Sequence, residues 1–211
     1  LRLVSRAPTL LGQGLVIARP DGQAAIYTSI GAFGDAMAGS YPSSYLAGRA
    51  GSWASSALEP RLDSSSQTVS PPVLGVSGDF ERQLVWTNAR LAPEAPEPDN
   101  SLVDFYVHDS ATGSYRYVAS AQGEEPSPIE NVRVHQSFAG ASEDGSSFYF
   151  SLAKSLDSTP APPGEEDGVT MLYGFDTAAG RLAYLGVLPD GSVAPGVSLA
   201  AGADPENLPE D

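Results

Sequence analysis

One pattern recurs in this chain and constrains its fold more than any single motif. An Asp-centred turn leads into a short strand carrying an aromatic residue. A long stretch rich in Pro and acids follows, then a second strand that doubles back at a glycine. In the middle of the chain it reads GVSGDFERQLVWTN, then ARLAPEAPEPDNS, then LVDFYVHDSATGSYRYVAS. Asp21, Asp79 and Asp144 mark the first turn of three copies. Tyr27, Trp86 and Phe150 follow at near-equal distance, with one residue more in the middle copy. Asp109 with Gly113 matches Asp176 with Gly180, and Gly113 suits the positive φ of a bulged hairpin.

Each copy spells four short strands, and no stretch carries helical periodicity. The fold expected is therefore all-β. Four-stranded antiparallel units recur over residues 1–66, 73–120 and 134–188, and an acidic, apolar-poor tail covers 200–211. The repeat spans roughly sixty residues, longer than the ~40–50 common for a blade because of its loops. Four antiparallel strands per repeat is the plan of a β-propeller blade.

Ser-x-Asp-Gly before an aromatic strand, and Asp-x-x-x-Gly after Phe105-Tyr106-Val107-His108, resemble the TolB-type (WD40-like) propeller repeat of bacteria. The likeness runs from about Leu15 to Leu188 and is weakest in the first copy, which lacks the Thr-Gly turn. Such a resemblance implies a secreted or surface-exposed bacterial module that binds, scaffolds or docks rather than catalyses.

Propellers close with about four to eight blades, and three units are visible. The sequence is thus expected to be a piece of a longer array, a partial propeller. Otherwise copies of the chain must cover one another's open edges, since an unpaired β edge invites pairing.

Charge narrows the partners. The chain carries 26 acids against 11 Lys and Arg, and twenty of the acids lie beyond residue 90. Nucleic acid is excluded as an expected partner, because phosphate binding needs clustered Lys and Arg. No apolar run approaches the ~18 residues of a membrane span. Cysteine is absent, which rules out disulfides and thiolate metal sites. In an up-and-down unit the tight turns fall on one face and the long connections on the other. An acidic loop face follows, built from Glu94, Glu97, Asp99, Glu124, Glu125, Glu130, Asp157, Glu165, Glu166 and Asp167.

Few residues suggest chemistry. Asp99, Asn100 and Asp104 form a candidate calcium set, although calcium takes about six to eight oxygens. A solvated loop turned at Asn100 is the competing reading. His108 and His135 are the only histidines, and His108 adjoins Asp109. Neither a G-x-S-x-G elbow nor an H-E-x-x-H pair is present. Trp53, Trp86, Tyr106, Phe148, Phe150 and Tyr173 are expected to fill the blade core, and Phe33 and Tyr41 sit in a loop.

The functional expectation is a non-catalytic module that presents an acidic face and engages a protein or its own copies through blade edges. The alternatives are the propeller domain of a larger hydrolase, or a self-assembling fibre or surface-layer subunit.

Overall fold

The computed structural model of the chain describes residues 16–29, 43–58, 73–87, 89–97, 102–122, 137–163 and 170–194. Among these residues every regular element is a β-strand, twelve in all. No helix among them is long and apolar enough to cross a membrane. The chain divides into two compact units, residues 1–73 and 74–211.

The first unit holds one antiparallel sheet. Its strands β1 (Val16–Ala18), β2 (Ala24–Ser29), β3 (Ser43–Ala50) and β4 (Ser52–Ala57) lie in sequence order. Ile26 and Tyr45 are fully buried, and Tyr45 stacks on Tyr27 at 5.3 Å. Trp53 departs from expectation, being 54% exposed. The reason is local: β4 offers only Ala and Ser beside it, and Gly51 turns the chain so that Trp53 pairs with Arg49 at the hairpin end. A strand without an apolar stripe has no face to bury.

The second unit holds two sheets. The middle sheet runs β5 (Val73–Val76), β6 (Arg82–Thr87), β7 (Leu102–Asp109) and β8 (Ser114–Gln122). The last sheet repeats the order with β9 (Ser137–Ala141), β10 (Ser147–Leu152), β11 (Met171–Asp176) and β12 (Arg181–Tyr184). Three four-stranded antiparallel sheets are thus established. No closed barrel is formed among the described residues.

Register corrects the sequence alignment. Tyr27 faces Tyr45, Val85 faces Tyr106 and Phe150 faces Tyr173 across their strand pairs. Val85, not Trp86, therefore stands where Tyr27 and Phe150 stand, and the middle copy has no extra residue. Trp86 lies one place further on and points to the opposite face, because side chains alternate along a strand.

That alternation builds the core. Leu84, Trp86, Val103, Phe105 and Val107 on one face of the middle sheet join Phe148, Phe150, Leu152, Met171, Tyr173 and Phe175 of the last in one buried cluster. Phe105 stacks on Phe150 at 5.9 Å across the junction. The sheets also join at their turn ends. Asp79 N–H donates to Glu143 O at 2.9 Å, and Arg82 Nη1 donates to Asp144 O at 2.9 Å.

Asp-centred turns recur four times. The Oδ1 atoms of Asp21, Asp79, Asp144 and Asp190 each accept the amide two residues on, at 2.8–3.0 Å. The residue between takes positive φ: Gly22 (70°), Phe80 (66°), Gly145 (62°) and Gly191 (83°). The fourth turn closes a short hairpin bridged by Val187 and Val193. Gly113 (68°) and Gly180 (63°) take the positive φ expected of the second turn.

Candidate functional site

The tight turns of the second unit gather at one end, as the inter-sheet hydrogen bonds there show. The β6–β7 and β10–β11 connections leave from the other end. Glu94, Glu97 and Asp157 on these connections are exposed. Asp99, Glu124, Glu125, Glu130, Glu165, Glu166 and Asp167 lie outside the described residues, as do Phe33, Tyr41 and His135.

A tyrosine clamps the start of each long connection. Tyr106 Oη donates to Ala89 O at 3.0 Å and accepts from Leu91 N–H at 3.3 Å. Tyr173 repeats this with Lys154 O at 3.3 Å and Leu156 N–H at 2.9 Å. The sequence carried a signal for it: both tyrosines sit three residues before the Asp of the second turn, as in FYVHD and LYGFD.

Polar groups are buried on the face of the middle sheet turned away from the last sheet. Gln83 and His108 pair directly across strands and are 0% and 6% exposed. Gln83 Nε2 donates to Phe80 O at 2.7 Å, which makes its Oε1 an acceptor. His108 Nδ1 lies 2.8 Å from that oxygen and so carries the proton of the neutral ring. Ser110 Oγ donates to the same oxygen at 3.0 Å, and the ring stacks on Tyr115 at 4.5 Å. Burial drives the His108 pKa down to about 4, against an upward pull from Asp109.

Asp109 does not orient His108. Its Oδ1 accepts from Ala111 N, Thr112 N and Thr112 Oγ1, and its Oδ2 faces Arg82 Nε at 3.4 Å. Burial raises its pKa, but the bonds from Thr112 and Arg82 prevail and hold it below the usual value. A base held by an amide, beside a carboxylate committed to a turn, is not the arrangement of a hydrolytic triad.

Asp104, one of the three calcium candidates, is only 3% exposed. Its Oδ1 accepts from Ser120 Oγ, and its Oδ2 lies 3.0 Å from Tyr106 Oη. Burial raises its pKa, opposed by those two hydroxyls. The Tyr106 hydroxyl is shared between Asp104 Oδ2 and Ala89 O. Both oxygens of Asp104 are thus engaged by hydroxyls inside the sheet. Asp99 and Asn100 lie outside the described residues. Among the described residues no three His, Asp or Glu side chains converge on a metal position.

A cleft of about 310 Å³ opens between the turn ends of the middle and last sheets. Arg82 and Arg116 line it from β6 and β8, with Ser114 and Asp109 from the middle sheet and Ser146 and Thr177 from the last. Arg116 Nη1 donates to the carbonyls of Thr177 and Ala178. Sequence reading passed over this pair, since 34 residues separate the two arginines and no motif joins them. Comparison with protein-family models, with curated proteins and with solved structures finds no match to this chain.

Proposed function

We propose that this chain is a non-catalytic binding or structural module whose four-stranded sheets stack as propeller-type blades of the TolB kind, in a secreted or surface-exposed protein. One observation carries the reading. The outer face of the last sheet exposes apolar side chains at places where the middle sheet buries them. Tyr149, 41% exposed, stands at the position of fully buried Leu84. Leu172 stands at that of Phe105, and Leu185, 40% exposed, lies with Tyr149 against Gly174 on the same face. The middle sheet buries this face by docking a further sheet on it. The last sheet offers the same face to another sheet of the repeat or to a protein partner, a contiguous apolar surface of the kind that marks an interaction site. The acidity of the loop connections supports a basic protein surface, not nucleic acid, as what the other end meets.

Light scattering on the purified chain tests the reading. Concentration-dependent association, abolished by Tyr149→Glu with Leu185→Ser, is the expected result. A monodisperse monomer at high concentration overturns it.

A further inference from the structure

We propose that the cleft between the turn ends of the middle and last sheets is a binding site for a small oxyanion-bearing ligand, a carboxylate or a phosphate. The site lies at the turn end of the two sheets, opposite the long connections, and does not require docking on the outer face of the last sheet.

Charge makes the first argument. In a chain with 26 acids and 11 Lys and Arg, two arginines share one cleft. The one carboxylate lining it, Asp109, spends Oδ1 on Ala111 and Thr112 of its own turn and pairs through Oδ2 with Arg82 Nε at 3.4 Å. The lining thus carries two guanidinium charges against one carboxylate, in a molecule of net −15.

Geometry makes the second. Each guanidinium is anchored to the neighbouring sheet through Nη1, Arg82 to Asp144 O and Arg116 to Thr177 O and Ala178 O. A guanidinium has five N–H donors in a fixed fork. Anchoring one nitrogen orients the plane, and among the described residues no hydrogen bond takes up Nη2 of Arg82 or Nε and Nη2 of Arg116. The entropic cost of ordering both side chains is thus met before a ligand arrives. The hydroxyls of Ser114, Ser146 and Thr177 also line it, the last donating to Gly145 O, together with the apolar side chains of Val107 and Ala178. A volume of about 310 Å³ lies at the small end of ligand sites.

The repeat supplies the third. Ser147 occupies the Arg82 position in the last sheet, and Ala183 occupies the Arg116 position. Strands of this repeat form without either guanidinium, so the pair answers to something other than the sheet. Holding two sheets together is the rival role, and it needs only the anchored nitrogens.

Calorimetric titration of the full chain at fixed ionic strength tests this, with inorganic phosphate in one arm, succinate in another and chloride as the control. Saturable binding of phosphate or succinate is expected, and the arm that saturates identifies the anion class. Arg116→Gln should weaken it at least tenfold and Arg116→Lys by less, because lysine keeps the charge and loses the fork. Arg49→Gln, an exposed arginine of the first unit, should leave it unchanged. Thermal melts of each variant check the fold. If Arg116→Gln unfolds, amide NMR shifts on the unaltered chain decide, and they must fall on residues 114–116, 146 and 177–178. No saturation in either arm, equal heat with chloride, shifts elsewhere, or undiminished binding by folded Arg116→Gln would overturn the proposal.

Discussion

The middle and last sheets share strand order, register and turns, yet fill one face in opposite ways. Across the same strand pair the middle sheet sets Gln83 against His108, and the last sets Phe148 against Phe175. Two residues before the clamping tyrosine the middle sheet has Asp104 and the last has Met171, whose sulfur lies 3.6 Å from Tyr173 Oη. In the last sheet this is the face that docks on its neighbour, and it is apolar. In the middle sheet it is equally buried and carries a satisfied polar network. The repeat therefore specifies a backbone and a burial pattern, not a core chemistry. Buried polar groups are tolerated where each finds a partner.

The sharpest test of the contrast is at equivalent core positions. Phe150→Ala should cost about 3–5 kcal/mol in urea unfolding, since a buried ring is lost at the sheet junction. Val85→Ala, at the same register position, should cost only about 2 kcal/mol. Equal costs would break the assigned equivalence.

The next effect is one of pH. His108 falls from the ordinary 6.5 to about 4 in the folded chain. The unfolded chain binds the proton first, so the histidine's contribution is complete above pH 6.5 and is lost as pH falls towards 4. At about 1.4 kcal/mol per pH unit this amounts to at most about 3–4 kcal/mol. Asp144, held down to about 2 by Ser146 and Ser142, acts only below about pH 4, so the windows separate. Denaturation curves at pH 7 and pH 5 for the parent and for a Gln83→Phe/His108→Phe pair check this; the pair should lose the slope between pH 6.5 and 4.

That same pair sharpens the comparison further. Either single change strands a buried polar group and should cost about 1–3 kcal/mol. The two together recreate the last sheet's chemistry and should cost less than the sum. Additive costs in a double-mutant cycle would show that the two faces are not interchangeable.

A smaller effect is expected at the first turn. Phe80 alone among the four turns places a side chain at positive φ, a strain of about 1–2 kcal/mol. Phe80→Gly relieves that strain but loses a side chain only 5% exposed, so it should be destabilising by about 1 kcal/mol net. Gly145→Ala should be worse than φ alone implies, because its Cβ would lie 2.8 Å from Arg82 Cβ. The smallest expected effect is that of Asp104→Asn. Since burial raises this carboxyl's pKa, its charged form weakens the fold at neutral pH. The amide should match or slightly exceed the parent at pH 7, and the difference should vanish at low pH.

Much of the architecture was legible in the sequence, and the reasons are local. Asp-Gly and Asp-x-x-x-Gly turns determine hairpins through a side-chain acceptor and a positive φ, both encoded within five residues. Asp21, Asp144, Gly113 and Gly180 could therefore be placed without coordinates. Alternation put Leu84 and Trp86 on one face. Trp53 is large yet exposed, because burial depends on whether neighbouring strands supply a stripe to share. Trp86 shares its aromatic character with Tyr27 and Phe150 but not their register, which depends on pairing and puts Val85 there.

What the chain determines by itself is the ladder: where strands start, where they bend, and which residues alternate. These follow from backbone sterics and from hydrogen bonds a few residues long. Only the tertiary structure decided which face of a sheet meets another, that Gln83 and His108 satisfy each other in the dark, and that Arg82 and Arg116 share a cleft. Those outcomes depend on distances between residues far apart in the chain, and closing such loops is an energetic matter that no local pattern records.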